Sequence, residues 1–366
     1  MMAGDRFDVI VVGAGPGGFA AALSAARQGM RVLVLDRATF PRDKVCGDAI
    51  TPLGMTMLAQ LGVLDVVRGV ADCQVPRIEV TTVTAAPRTI ETPVLVVRRR
   101  VLDSTLLDVV RPLVEVREQH AVDRILSSDG RICGVAGTTE RGTRFEARAD
   151  VVIGADGASS IVARLTNCRV ERTSDLLIAR RGYYRGVEQT SQALEFHFLP
   201  GLCGGYLWIF PLGSGRHNIG LGGTADQIRG GMRDLRELWR KALASPALKD
   251  RFTKAAPPCD VAGGQIPFGG TTQPIAGPGF LLVGDAAGLA DAFWGDGIDT
   301  ALASGALAGF HAAGAIKAGD VTTERLAGYR HRVLRVLGKK LALGLERQRT
   351  AALDAALLQA DPWTAP

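Results

Sequence analysis

Aromatic residues are scarce in this 366-residue sequence, 5% of the total, and no basic–aromatic recognition motif appears. Nucleic acid is therefore not an expected partner. The six cysteines, at positions 46, 73, 133, 168, 203 and 259, are scattered without a C-x-x-C pair. That spacing supports neither a disulfide framework nor a zinc site, and it suits reduced thiols in a cytoplasmic protein. Nothing repeats at a solenoid period and no low-complexity linker interrupts the chain. Val9 to Ala26 carries no charge over eighteen positions, but its glycines and Pro16 fall where a phosphate-binding turn needs them, so it is read neither as a spanning helix nor as an export signal.

What is present is a turn-rich, well-buried globular composition: 47% hydrophobic residues and 45 glycines. A chain of this length is long for one core, which predicts two intimately joined domains. The net charge of +6 is modest, and dispersed basic residues account for it more simply than a strongly anionic partner does.

The chain is organised around Arg6 to Asp36, RFDVIVVGAGPGGFAAALSAARQGMRVLVLD. An apolar run from Phe7 to Val12, the turn Gly13-Ala14-Gly15-Pro16-Gly17-Gly18, an alanine-rich helix and a second apolar run predict strand, turn, helix, strand. Gly13 permits the tight turn, Gly15 lets the backbone approach a pyrophosphate, and Gly18 lets helix and strand pack closely. The helix N-terminus offers free N–H groups to the anion. Asp36, eighteen residues after Gly18, suits a ribose hydroxyl. The stretch predicts a dinucleotide site and leaves open which dinucleotide.

Beyond it, residues 37–48 form a charged loop with Pro41 and Gly47, and Thr51-Pro52 reads as the start of a helix. Cys46 in this loop is, on spacing alone, more simply a small buried thiol than a group set against a cofactor ring. Residues 76–97 suggest strands, and a helix begins at Arg98-Arg99-Arg100. Three arginines in a first turn oppose the helix dipole and call for an outside partner. A hairpin is expected at Ser128-Asp129-Gly130. Two further strand-to-turn junctions, at Gly154-Ala-Asp156-Gly157 and Gly284-Asp285-Ala-Ala-Gly288, could each be a tight turn with an Asp cap. With the first turn they make three strand ends able to converge on one extended nucleotide.

Residues 179–222 have another texture, short alternating strands with glycine turns at 204–205 and 213–215, as expected of an antiparallel sheet. Tyr206, Trp208 and Phe210 share one face of it. By itself that face reads as core. Residues 321–358 are helix-rich and basic, a surface helix in the commoner reading and a membrane-surface helix in the rarer one.

The ordered set Gly13-x-Gly15-x-x-Gly18, Arg99-x-x-x-Asp103, Asp156-Gly157 and Gly284-Asp285 resembles flavoproteins of the para-hydroxybenzoate-hydroxylase type. Within them the chain is most similar to the geranylgeranyl reductase family, through Lys44-Val45-Cys46-Gly47, Tyr206-x-Trp208-x-Phe210-Pro211 and Gly284 to Gly288 followed by Trp294-Gly295-Asp296-Gly297-Ile298 and Ser304-Gly305. The resemblance implies an α/β fold: a Rossmann-like FAD-binding domain (1–75, 99–178 and 263–320), an inserted antiparallel-sheet substrate domain (76–98 and 179–262) and a C-terminal helical segment (321–366). It implies FAD with its diphosphate at Gly13, Gly15, Pro16, Gly18, Gly284 and Asp285 and its adenosine side along Asp36, Arg37, Arg99 and Val122. Asp156 and Gly157 also serve the cofactor, and its ring system lies near Cys46, Gly47, Gly295, Gly297 and Ile298. Asp36 and Asp296 stand where glutamate is commoner in the family.

By the same resemblance Tyr206, Trp208, Phe210, Pro211, Phe293 and Trp294 line an apolar cavity over the flavin, which overturns the core reading of that face. The implied activity is FAD-dependent reduction of C=C bonds in a prenyl-like or other apolar substrate, with Cys46 and Tyr206 as candidate catalytic residues. The flavin would be reduced by NAD(P)H or a protein electron donor. A peripheral membrane contact through the basic C-terminal helices is a further expectation. The alternatives are a monooxygenase, or less readily a halogenase, acting on an aromatic or polyketide compound, and a non-catalytic flavin or lipid carrier.

Overall fold

The computed structural model describes residues 6–350 apart from 83–85, 171, 200–204, 231–233 and 270–271. Cys203, Gly204 and residues 351–366 of the expected C-terminal segment lie outside the described residues. The chain opens with β1 (Arg6–Val12), α1 (Pro16–Arg27) and β2 (Val32–Leu35), then β3 (Ala49–Ile50), α2 (Pro52–Gln60), α3 (Leu64–Gly69), β4 (Cys73–Thr81), β5 (Arg88–Val96) and α4 (Arg99–Val110). Next come β6 (Glu115–Arg117), β7 (His120–Ser128), β8 (Arg131–Thr139), β9 (Arg144–Gly154) and α5 (Ile161–Leu165). They are followed by β10 (Leu176–Arg185), β11 (Ala193–His197), β12 (Tyr206–Pro211), β13 (Arg216–Thr224), α6 (Ala225–Gly230) and α7 (Leu235–Leu243). The described chain ends with β14 (Cys259–Pro267), β15 (Ala276–Gly277), β16 (Phe280–Leu282), α8 (Ile298–Lys317) and α9 (Thr323–Thr350).

Two eight-stranded sheets organise these elements. The first has a parallel centre, β16-β9-β1-β2-β6, extended by β15 beyond β16 and by the β7–β8 hairpin beside β9. Its central strands are apolar on both faces because helices cover them, the mark of a parallel sheet. Val12, Leu35, Gly154 and Leu282 bring the carboxyl ends of four strands to one edge, where such sheets bind ligands. The second sheet, β14-β10-β13-β12-β11-β4-β5-β3, is antiparallel except for the β11–β4 pair. Its alternation puts Tyr206, Trp208 and Phe210 toward the first sheet and Leu207, Ile209, Ile219 and Leu221 toward α7.

The local expectations for turns and caps are met. Thr51 caps α2, its hydroxyl accepting from Gly54 N at 3.3 Å, with Pro52 at the first helical position. Asp129 and Gly130 turn the β7–β8 hairpin with φ of 51° and 74°. Sheet membership divides the chain somewhat differently from the expected boundaries. β14 continues the second sheet to Pro267, past residue 262, because Leu176 to Arg181 of β10 already pair with it. β3 is an early outlier of the same sheet, paired with β5. α6 and α7 follow the strands expected over 179–222, between β13 and β14.

Candidate active site

A cavity of about 800 Å³ runs from the carboxyl ends of the parallel strands to the inner face of the second sheet. At the first end Gly13 adopts φ +100°, and a Cβ there would lie 2.5 Å from Ala155 O, so no other residue fits the turn. Gly15 and Pro16 line the cavity where α1 begins, and α1 has no side-chain cap, leaving its first N–H groups directed at the space. Gly18 is not on the wall. Its Cβ would fall 1.8 Å from Gly13 O, which is the helix-to-strand packing role the third glycine was given.

Two cations, Arg42 and Arg99, gather at this helix end. Asp103, fully buried, takes Arg99 in a bidentate pair (2.8 and 2.7 Å) and Arg42 at 2.8 Å. A Cβ built on Gly15 would lie 3.5 Å from Arg42 Nη2 and 3.8 Å from Arg99 Nη2. Lys44 Nζ reaches Asp285 Oδ2 at 2.8 Å across the cavity. The outside partner expected for Arg99 is thus supplied first by its own helix, one turn on, and Arg98 pairs with Asp72. Asp36 lies beside Arg37 and Ala38 on the wall, with Oδ2 accepting from Ala14 N and Oδ1 from Ala38 N, both at 2.8 Å. Val122 lines the same end.

Asp156 and Gly157 also line the cavity, but the Asp156 carboxylate behaves as the cap reading foresaw. It accepts from Ser160 Oγ, Ile161 N and Val162 N at the start of α5. Opposite, Gly284 and Asp285 close the wall, and Gly284 N donates to Ser304 Oγ of α8 at 3.0 Å.

The far end is aromatic. Phe196, Tyr206, Trp208, Phe210, Phe293 and Trp294 line it, with ring centroids 5.1 Å apart for Phe196–Phe210 and Phe196–Trp294. The Tyr206 hydroxyl donates to Trp294 O, tying β12 to the loop before α8. Pro211 is the exception among the expected lining residues. Period two turns it to the opposite face from Phe210, and its carbonyl accepts from Cys73 Sγ at 3.1 Å.

Between the two ends lie Cys46, Gly47, Gly295, Gly297 and Ile298, all on the wall. Burial pushes the Cys46 thiol up and the Tyr206 phenol up, so both groups keep their protons at neutral pH. Asp48, next to this loop, is raised to about 6 by burial, opposed by hydrogen bonds from Tyr183 (2.9 Å) and Asn218 (2.7 Å). Beneath Gly295, Asp296 and Asp299 share Lys340 of α9, each with Oδ2 at 2.8 Å from Nζ. Burial and the nearby Asp299 and Asp291 charges raise Asp296 well above the usual carboxylate range.

Several of these residues carry no motif in the sequence: Arg42, Asp48, Arg181, Asn218, Phe196 and Lys340. Arg181 is fully buried and bonds Asp43 of the loop and Asp260 O of β14. The available signal was a polar residue on the apolar face of a strand. Asn218 shares its face with Gly220 and Gly222, where a solvated asparagine has no place.

Residues 6–182 match the model of the FAD binding domain family. A menaquinone reductase of Mycobacterium tuberculosis is 34% identical over 327 residues, covering 84% of this chain and 77% of that protein. A digeranylgeranylglycerophospholipid reductase of Methanopyrus kandleri is 33% identical over 354 residues, covering 94% and 86%. Among solved structures, a geranylgeranyl bacteriochlorophyll reductase-like protein of Thermoplasma acidophilum superposes with a TM-score of 0.85 over 96% of this chain and 88% of its own, at 23% identity. That likeness shows the fold, and structures of flavin-dependent halogenases share it. The donor set in the cavity fits FAD: an uncapped helix N-terminus faced by Arg42 and Arg99, a carboxylate at the end of β2, and an apolar chamber at the far end.

Proposed function

Since the chain belongs to the geranylgeranyl reductase family of FAD-dependent oxidoreductases, we propose that it reduces C=C bonds of a prenyl-like, apolar substrate. The observation carrying this reading is the continuity of the cavity. An end lined by the glycine turns and cations shares one cavity with an aromatic chamber, and the Cys46-Gly47 loop and the Gly295–Ile298 turn lie on the same wall. Gly15, the first turn of α1 and the Arg42, Lys44 and Arg99 side chains would hold the diphosphate. Asp36 would hold the ribose, since each carboxylate oxygen retains a lone pair beyond its backbone donor.

Bound FAD, once reduced, supplies a hydride equivalent to an alkene carbon. The chain's residues do the rest. Phe196, Trp208, Phe210, Phe293 and Trp294 exclude water and orient a flexible apolar chain by contact area. Cys46 holds a proton at Sγ beside the chamber and is our candidate donor to the second alkene carbon. Tyr206, whose hydroxyl is engaged by Trp294 O, is assigned a positioning role instead. Electrons would reach the flavin from NAD(P)H or from a protein donor. The exposed basic stripe of α9 supports a peripheral contact with an anionic lipid surface, from which an apolar substrate could be taken.

The test is anaerobic. The FAD-loaded protein is reduced, and all-trans geranylgeraniol is added while the flavin absorbance is followed. Reoxidation without O₂, with a saturated product, supports the reductase. Reoxidation only after air and an aromatic compound are admitted, with oxygenated product, would transfer the assignment to the monooxygenase alternative.

A further inference from the structure

Asn218 is fully buried on β13, on the face that carries the aromatic wall, opposite Phe210 on β12 and Tyr183 on β10. Its amide makes three hydrogen bonds. Oδ1 accepts from Trp208 Nε1 at 2.9 Å, and Nδ2 donates to Cys46 O at 2.8 Å and to Asp48 Oδ2 at 2.7 Å. The orientation of the amide is fixed by chemistry. The indole N–H can only donate, and the carbonyl and carboxylate can only accept, so the flipped amide would lose all three bonds.

Two of the partners, Trp208 and Cys46, belong to parts of the cavity wall that come from different elements of the chain. Trp208 belongs to the wall assigned to the substrate, whereas Cys46 and Asp48 belong to the loop assigned to the flavin side. That loop rests directly on the wall: a Cβ on Gly47 would lie 2.9 Å from the Phe210 ring and 3.8 Å from Trp208 Nε1. Asp48 passes the connection on, its Oδ1 accepting from Arg99 N at 3.1 Å at the start of α4. A line of hydrogen bonds therefore joins the Trp208 indole to the helix that bears Arg99 and Asp103.

We propose that Asn218 is a positioning residue that fixes the spacing between the Trp208 wall and the Cys46 loop, and so the alignment of substrate with flavin. The inference rests on the functional reading above for what each side holds. Trp208 and the Cys46 carbonyl are 162 residues apart in sequence, and one side-chain amide holds both. Loss of that amide leaves the indole N–H without its acceptor and frees the Cys46 carbonyl to turn. The chamber remains apolar and can still admit a substrate, but the reacting atoms lose their register.

The test uses the full-length FAD-loaded protein and Asn218→Leu, similar in size and without hydrogen bonds. FAD content is expected to stay at the wild-type level. The visible band of the bound flavin should shift, and kcat with geranylgeraniol should fall about tenfold or more while KM changes less than about threefold. Should Asn218→Leu fail to fold, Asn218→Ser is measured in the same way. Trp208→Phe is combined with the Asn218 variant in either case, and the two are expected to be strongly non-additive in flavin band position, because the first already removes the indole N–H. An unshifted band with wild-type kcat, or additive effects in the double variant, would overturn the proposal. The band measurement needs no substrate. A wild-type protein inert toward geranylgeraniol would therefore count against the reductase reading and leave the positioning role to be decided by the spectra.

Discussion

Lys340 Nζ lies 2.8 Å from Asp296 Oδ2, so the last described helix reaches back to support the loop at the floor of the cavity. The same ammonium is 2.8 Å from Asp299 Oδ2, and Asp291 adds a third nearby carboxylate. Burial opposes charge on Lys340, but these carboxylates hold it well above its ordinary range. Lys340→Met should leave the buried Asp299 carboxylate, which this ammonium holds below its ordinary range against the cost of burial, without its counter-charge, a change that costs about 3–5 kcal/mol when a buried pair is broken from one side. Urea unfolding measures it. Adding Asp299→Asn should recover part of the loss, and a double variant as unstable as the single would show that Lys340 acts through something other than this pair.

The two ends of the cavity should separate by mutation. Gly15→Val fills the space in front of the α1 N-terminus, toward Arg42 and Arg99, and the purified protein is expected to be colourless. Trp208→Ala removes a side chain of the aromatic chamber and should retain FAD while turnover drops by about tenfold or more. Absorbance after gel filtration decides the first and steady-state kinetics the second. A colourless Trp208→Ala protein would contradict the division of the cavity.

The residues that shape the cavity through their backbone were legible in the sequence. Gly13 to Gly18 encode a local geometry, and Asp36 follows at a spacing the strand–helix–strand unit dictates. The shared face of Tyr206, Trp208 and Phe210 was legible from period two, although only resemblance turned it from core into cavity wall. The same period should have excluded Pro211, which must face away from Phe210. The Arg99–Asp103 pair was legible as well, since i+4 is a spacing that brings opposite charges together on any helix. Asn218 was out of reach for another reason. Its bonds to Cys46 and Asp48 span 172 and 170 residues, and no local pattern encodes a contact made only when two sheets close on each other.

Behind the second sheet, Glu195 predicts how the protein responds to acid. Burial alone would raise Glu195, but hydrogen bonds from His197 and Arg251 and the Arg251 charge bring it down to about 2 from an ordinary 4.5. Above pH 4.5 the ionised carboxylate favours the folded chain by about 3 kcal/mol, and that contribution is lost as pH falls from about 4.5 to about 2. Arg251→Ala, which removes a bidentate partner at 2.6 and 2.9 Å, should destabilise the protein at neutral pH by about 3–5 kcal/mol and flatten this part of the acid profile. Unfolding free energies measured from pH 2 to 7 test both. A wild-type slope retained in the variant would mean that other carboxylates set the acid limit.

The outer face of α9 carries the last prediction. Leu326, Tyr329, Val333, Leu337 and Leu341 form its buried stripe, while Arg325, Arg332, Arg335, Lys339 and Arg349 are exposed on the other side, against the acids Glu324 and Glu346. Val336, 52% exposed, adds an apolar side chain between the cations. No helix among the described residues is long and apolar enough to cross a membrane; a lipid contact through this face would rest on its cations. Each basic residue near an anionic surface is worth about 1 kcal/mol, so three reversed charges should weaken binding by about a hundredfold or more. Sedimentation with phosphatidylserine–phosphatidylcholine vesicles should therefore pull down the wild type and spare Arg332→Glu/Arg335→Glu/Lys339→Glu. Binding should also fade as salt shortens the screening length from about 10 Å at 0.1 M to about 3 Å at 1 M. Equal binding to pure phosphatidylcholine, or an undiminished triple variant, would reduce the stripe to a solvated helix face whose long side chains cover the apolar stem beneath them.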